Sequence, residues 1–385
     1  MSDRQTMLVL GGGVGGLVSA VELRKKLPRD HRVVLVDREQ RYLFDPSLLW
    51  LMTGGRTPKA ITRPLDRLRK KGIEVVTGEI ERIDPDQRRV SVDGAELEGE
   101  YLMVSLGAEY APEMIPGLAE AGHNFYSLAG AEDLRDALRE FRGGRLVVLT
   151  AAPVYKCPAA PYEAAMLLEY DRRKRKVRDD AQIDLYAAEP GPMGVAGPKV
   201  SAGVREMVEG KGIAYHPEHQ VERVDPGAKR INFANGTDAG FDLLAYVPPH
   251  RAPRVVRESG LANESGWIPV DRHSLETSFP RVYAIGDVTS IPLKLGKPLP
   301  KAGVFAHAEA EVVAANIARA VTGKGRPASF AGHGSCFIEV GDGKAGFGRG
   351  NFYAEPLPEV RLHKVGRRWH AAKVLFERNW LRKWF

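Results

Sequence analysis

The chain runs to 385 residues, with 56 Lys plus Arg against 49 Asp plus Glu and a formal net charge of +7. That length suits two or three domains around a large core, and the lack of a long apolar run excludes a transmembrane helix. The modest positive charge fits an anionic surface or a small anionic substrate; with no nucleic-acid-binding motif beside it, nucleic acid is not expected as a partner.

The N-terminus passes almost directly into an apolar run, Met7-Leu8-Val9-Leu10. That leaves no room for a signal peptide, so the expected location is the cytoplasm, or peripherally the cytoplasmic face of the membrane. Gly11-Gly12-Gly13-Val14-Gly15-Gly16 follows and satisfies G-x-G-x-x-G at Gly11, Gly13 and Gly16. A helical pattern then leads to a second strand, Arg32 to Val36, which ends on Asp37 and Arg38. The acid lies about twenty residues beyond the last glycine, the spacing of a dinucleotide-binding unit. In such a unit the glycines make the tight turn, admit a pyrophosphate and let helix and strand pack closely. The helix start at Val14 and Gly15 offers free N–H groups to the phosphates, and Asp37 can bond ribose hydroxyls. A glycine loop without ligand is the competing reading, and it meets the whole context only rarely.

Further strands are expected at Val75 to Ile80, at Arg89 to Val92 with an Asp93-Gly94 hairpin turn, and at Tyr101 to Leu106 running into Gly107. Ile80, Ser105 and Gly107 join the candidate cofactor-binding residues. A second strand–helix–strand unit starts at Arg145 to Thr150 and pairs with Ile183 to Ala188, echoing the first unit as an internal duplicate. Its turn contains no glycine: none occurs between Arg145 and Pro190. Without glycine the backbone cannot easily come up against a pyrophosphate, so this unit is expected to keep a Rossmann-like shape without a nicotinamide nucleotide site. Cys157 stands there instead, with Pro161 and Glu163 opening the next helix. The run from Arg172 to Lys176 is expected to be a solvated helix end.

Phe279 to Asp287 reads as a strand ending in Gly286-Asp287. That ending matches a second flavin contact, with Asp287 bonding a ribityl hydroxyl. Lys301-Ala302-Gly303 leads into an alanine-rich helix ended by Gly323, whose positive end can aim at the flavin. The expected fold class is therefore α/β, with two Rossmann-like domains and a small C-terminal segment ending in an amphipathic helix. The FAD domain is discontinuous: residues 1–110 and 246–325 form it, 111–245 form the second unit, and 326–385 the C-terminal segment.

The chain has two cysteines, Cys157 and Cys336, too few for a structural disulfide framework. Count alone favours inert buried thiols over a redox pair; the setting of Cys157 at a helix start turns the reading toward the pair. No metal site is expected. In the tail, Val374, Trp380, Leu381, Trp384 and Phe385 share one side of a helical wheel, while Lys373 and Glu377 interrupt it. That pattern fits an interfacial membrane helix or equally a helix docked on its own protein or on a second subunit of a homo-oligomer. His123, His250 and His307 are left as surface or core residues.

Over essentially its whole length the chain resembles the sulfide:quinone oxidoreductase family and the flavoprotein subunit of flavocytochrome c sulfide dehydrogenase. The resemblance rests on Cys157-Pro158-Ala159-Ala160-Pro161-Tyr162-Glu163, Gly266 to Asp271, Tyr283 to Asp287, Pro300-Lys301-Ala302-Gly303 and Cys336. It implies FAD, a Cys157–Cys336 disulfide or sulfur-bridged pair beside the flavin, and Glu163 as proton carrier. It also implies sulfide or another small sulfur species as donor and a quinone as acceptor. Many such oxidoreductases carry a third catalytic cysteine, which this chain lacks. No cysteine lies between Tyr42 and Leu49 to hold the flavin, so FAD is expected to be non-covalent.

The chemistry these residues allow begins with HS⁻ attacking the disulfide, giving a persulfide and a thiolate. A lowered leaving-thiol pKa, favoured by a helix N-terminus, helps that step. Either cysteine can be the thiolate that delivers electrons to FAD; Cys336 is taken as the one, with Cys157 as the alternative. Phe347, Phe352 and Tyr353 are candidates for packing on the quinone, against the alternative that they fill the core of a small sheet. Two other readings stand beside this one. A type II NADH:quinone oxidoreductase or NAD(P)H-dependent disulfide reductase needs the nucleotide site that the second unit lacks. A flavin-binding redox sensor without turnover would ignore sulfide, thiols and NADH alike.

Overall fold

A computed structural model of the chain describes residues 4–385. It begins with β1 (Thr6–Leu10), α1 (Val14–Lys26), β2 (Arg32–Asp37), β3 (Glu74–Thr77) and β4 (Tyr101–Val104). A second unit supplies β5 (Gly144–Thr150), α2 (Ala160–Lys174), β6 (Ala181–Ala187), β7 (Ala214–His216) and β8 (Leu243–Val247). The chain then returns through β9 (Val282–Ala284) and α3 (Gly303–Thr322). It closes with β10 (His333–Gly341), β11 (Lys344–Asn351), β12 (Glu359–Gly366) and α4 (Arg367–Lys383).

The first sheet is parallel, in the order β9-β4-β1-β2-β3. Its strands are apolar on both faces because helices or further strands cover both; β1 and β4 are buried almost throughout. The second sheet repeats the design, with His123–Asn124, β8, β5, β6 and β7 in parallel order. Each sheet carries its own three-stranded antiparallel meander, Ile80–Asp84, Arg89–Val92 and Ala95–Glu98 in one and Val221–Asp225, Arg230–Phe233 and Asp238–Gly240 in the other. The internal duplication read from the two strand–helix–strand runs therefore extends to the meanders.

β9 joins the first sheet after the whole second unit has been laid down, so the first sheet is built from both ends of the chain. α3 packs across α1, where Gly303 leaves room for Val14. The C-terminal strands form an antiparallel sheet, and β10 lies along α2. These two packings bring Cys336 to the helix that follows Cys157.

The basic run at the end of α2 departs from expectation at one position. Arg173 to Lys176 are exposed, but Arg172 is fully buried. Its guanidinium donates to the carbonyls of Leu138 and Phe141 at 2.8 Å each, at the end of helix Leu128–Glu140. Those carbonyls have no partner within their own helix, and the planar guanidinium suits them both.

Candidate active site

The glycine loop between β1 and α1 is shaped by close backbone contacts. Gly11 has φ +94°, and a Cβ there would overlap the Ser105 carbonyl; one at Gly16 would overlap the Gly11 carbonyl. A Cβ at Gly13 would meet nothing within 4 Å among the described residues, so that side of the loop is open. This is the room a pyrophosphate needs. Asp37 closes the loop from below, accepting the N–H groups of Gly12 and Glu39. Burial raises its carboxyl above the usual range, and those two N–H groups oppose the shift. Ser105 is buried against Gly15, and Gly107 has φ +67°. Ile80 is buried in the core beside Val36 and Val104, and Arg38 is exposed next to Glu39 and Glu79.

Across from this loop, Gly286 turns with φ +73° and presents Asp287. The Asp287 Oδ1 atom is buried and has no hydrogen-bond partner among the described residues. An orphaned buried acceptor is costly, and a ribityl hydroxyl is the donor that suits it. With the open cradle at Gly13, this atom makes the residues present a fit to FAD. Lys301 Nζ donates to the carbonyls of Asp287 and Thr289 at 2.6 and 2.9 Å and sits 3.5 Å over the Trp267 ring. Burial lowers Lys301 to about 8. Its side chain thus steadies the Asp287 turn, and its carbonyl accepts the Cys157 N–H at 2.7 Å.

Cys157 has φ +51°, a region that residues with a side chain rarely adopt. The Tyr126 hydroxyl donates to its carbonyl at 3.2 Å. Cys336 is on β10 opposite Gly348, packed against the same core as Cys157. The two sulfurs are unbonded in the structure, and each is close enough to feel a shared set of charges. Burial pushes the Cys157 thiol up to about 12, with Glu163 adding to the rise and Lys373 and Lys156 opposing it. Burial pushes Cys336 well up too, with Cys157 and Glu163 adding and Lys373 opposing. The expected lowered thiol at the start of α2 is therefore not found: burial and a neighbouring carboxylate outweigh the helix terminus.

Glu163 is buried, but not alone. Its Oε2 accepts Lys373 Nζ at 2.6 Å and the Glu339 N–H at 2.8 Å. Glu339, also buried, holds His370 Nδ1 at 2.9 Å, and Glu377 holds Arg56 and Ser47 at 2.7 and 2.5 Å. α4 therefore points His370, Lys373 and Glu377 inward as one polar stripe. Trp380, Leu381 and Trp384 are buried beside it in the flavin-side core. The apolar side of the tail docks on its own protein. Lys373 and Glu377, the charges that interrupt that side, fasten it through Glu163 and through Arg56 and Ser47.

The aromatic candidates divide. Phe347 lies between Phe337 at 5.0 Å and Trp369 at 4.6 Å, and Phe376 reaches Phe337 at 6.4 Å. Phe352 packs on Phe305 at 5.1 Å. Tyr353 is a core residue: its hydroxyl donates to the Arg272 carbonyl at 2.8 Å and the Arg272 guanidinium covers its ring. Sequence reasoning missed Lys156, Glu309, Glu339, His370 and Lys373. Only Lys373 carried a signal, as a charge on the apolar side of the tail.

In the second unit the glycine-free turn is filled by protein. Glu189, at the end of β6, accepts the hydroxyls of Tyr155, Tyr162 and Thr150, the last two at 2.7 and 3.0 Å. That acid stands where a nucleotide ribose would be read, and it faces inward.

A family model described as pyridine nucleotide-disulphide oxidoreductase matches residues 5–311. The sulfide-quinone reductase of Aquifex aeolicus is 28% identical over 400 residues, covering 98% of this chain and 90% of that one. The mitochondrial sulfide:quinone oxidoreductase of Mus musculus is 27% identical over 300 residues, covering 74% and 66%. The crystal structure of the sulfide:quinone oxidoreductase of Aquifex aeolicus superposes with a TM-score of 0.90 at 25% identity, over 99% of this chain and 91% of that one.

Proposed function

The chain belongs to the pyridine nucleotide-disulphide oxidoreductase family, a flavoprotein oxidoreductase family, and from that premise we propose that it oxidises sulfide through Cys157 and Cys336 and passes the electrons by way of non-covalent FAD to a quinone. The observation that carries the reading is the bond from the Cys157 N–H to the Lys301 carbonyl. Lys301 also holds the Asp287 turn, so the cysteine loop and the flavin half of the molecule share one fixed residue. The likeness to sulfide-quinone reductase along nearly the whole chain supports the choice of donor and acceptor.

Sulfide attacks the Cys157 sulfur of a Cys157–Cys336 disulfide. The S–S bond breaks, Cys157 becomes a persulfide and Cys336 leaves as a thiolate; the sulfide sulfur is oxidised by two electrons and the disulfide is reduced. Lys373, which opposes the rise that burial imposes on Cys336, favours that thiolate. Glu163 stands beside both sulfurs to accept the proton of the attacking HS⁻. The Gly11–Gly16 loop, Asp37 and Asp287 would hold FAD, which would supply the two-electron acceptor. The Phe337, Phe347, Trp369 and Phe376 ladder, between the Cys336 strand and α4, is the surface on which a quinone ring packs.

A quinone is a membrane-borne acceptor, which places the outer face of α4 on the lipid. No helix among the described residues is long and apolar enough to cross a membrane. Leu375 and Phe376 are exposed between Arg368, Arg378, Arg382 and Lys383, a basic and apolar face.

The test is a pair of substitutions. Cys157→Ser and Cys336→Ser proteins should each hold FAD, with sulfide failing to bleach the flavin band. Unchanged bleaching in both would refute the assignment.

A further inference from the structure

Glu309 lies on the face of α3 that packs against the Gly286–Val288 turn, 1% exposed. Its Oε2 accepts the Gly286 N–H at 2.7 Å. From that turn it also faces Asp287, from the segment ahead of α3 it faces Lys301, and from beyond β11 it faces Tyr353. Burial is the largest influence and pushes this carboxyl up to about 7; the Gly286 N–H and Lys301 oppose the shift, and Asp287 adds to it. Nothing in the proposed sulfur chemistry uses this group.

We propose that Glu309 is a positioning residue for the flavin, whose carboxyl buttresses the Gly286–Asp287 turn and whose charge makes FAD affinity fall as pH rises. Gly286 is the residue immediately before the orphaned Asp287 acceptor, so a change at Glu309 reaches the ribityl contact through one peptide unit. FAD brings an anionic pyrophosphate into the site and displaces water from it. Both effects make a negative Glu309 more costly, so the bound form favours the protonated carboxyl. The sign follows from linkage: the group ionises at a higher pH with FAD than without it. Affinity is full below the lower of those two pH values, falls between them and is flat above the higher. One pKa unit of difference is about a tenfold change in Kd. The inference rests on the flavin site alone, so it stands or falls separately from the sulfide reading.

Holoprotein diluted into buffers on either side of neutrality gives the FAD Kd from the fluorescence of released flavin. The native protein should show a Kd that rises about tenfold across neutrality. Glu309→Gln keeps an acceptor for the Gly286 N–H and carries no charge, so its Kd should be tight and should lose the step across neutrality, leaving only the weaker change at about 8 that belongs to Lys301. Lys301→Met removes the cation that steadies the carboxylate and should move the midpoint of the native transition to higher pH. A flat native profile, a native-like slope in Glu309→Gln, or an unmoved midpoint in Lys301→Met would each overturn the proposal.

Discussion

Glu163 and Lys373 stand 210 positions apart in the chain and meet at 2.6 Å, with side-chain exposures of 3% and 8%. The contact joins the helix after the first cysteine to the last helix of the protein. A buried ion pair adds little net stability against an apolar pair of the same shape, but losing one partner leaves a buried charge uncompensated. Lys373→Met should therefore destabilise the fold by about 3–5 kcal/mol. The double substitution Glu163→Gln with Lys373→Met should recover most of that loss. Urea unfolding of the native protein, of Lys373→Met, of Glu163→Gln alone and of the double substitution checks it: strictly additive losses would show that the two groups do not compensate each other.

The same pair sets the reactivity of the reduced cysteines. With burial first and Glu163 second holding Cys157 up at about 12, the reduced residue is a thiol at neutral pH. Alkylation of Cys157 in a Cys336→Ser background should be slow near neutrality and rise about tenfold per pH unit, since the thiolate is the nucleophile. Glu163→Gln removes a charge that raises the thiol and should speed the reaction. Lys156→Met removes a charge that lowers it and should slow the reaction. A pH-rate profile with a plateau near neutrality would show that the thiol is not held up. In the proposed chemistry sulfide, rather than a cysteine, is then the nucleophile that must be ionised for the first step.

What was legible in the sequence follows a physical pattern. The Gly11–Gly16 loop, Asp37 and the Gly286-Asp287 ending were readable because backbone geometry demands glycine there and short-range spacing carries the rest. The duplicated units were readable from apolar strand runs. The partners of Lys373 were not, because a helical wheel assigns charge to solvent and cannot see an acid that arrives from another element. Arg172 was misread for the same reason, as one member of a basic run that turns inward to serve two carbonyls. Glu309 left no trace, since an alanine-rich helix tolerates a glutamate on any face. The raised thiol at the start of α2 was not legible, because helix position is written in sequence and burial is not.

Glu189 bears on whether the second unit can take a nucleotide. Its carboxylate takes three hydroxyls, from Thr150, Tyr155 and Tyr162, at the position from which a Rossmann unit reads a nucleotide's adenosine ribose. NADH and NADPH should leave the flavin oxidised in anaerobic stopped-flow mixing. Glu189→Ala should not create nucleotide reduction, because the turn still lacks glycine. It should instead destabilise the fold by about 1–3 kcal/mol, as buried tyrosine hydroxyls lose their acceptor. Rapid bleaching by NADH in the native protein would establish a nucleotide site and favour the NADH:quinone reading.

The basic face of α4 gives the proposed lipid contact a signature that the docked face cannot mimic. Arg368, Arg378 and Arg382 are exposed around Leu375, while Trp384 on the opposite side has no exposed surface. Each basic residue near an anionic bilayer contributes on the order of 1 kcal/mol, and salt screens the attraction. The protein should co-sediment with phosphatidylserine-containing vesicles, remain free with purely zwitterionic ones, and be released by high salt. Reversing Arg368, Arg378 and Arg382 to Glu should weaken vesicle binding by at least about a hundredfold, on the same per-residue scale. The fluorescence of Trp380 and Trp384 should stay in place on binding, because those rings are already packed in protein. A blue shift confined to these two tryptophans would mean that α4 leaves its dock and inserts its other face. In that case the Glu163–Lys373 contact would break on the membrane, and the polar stripe that fastens the helix would be a latch instead of a fixed joint.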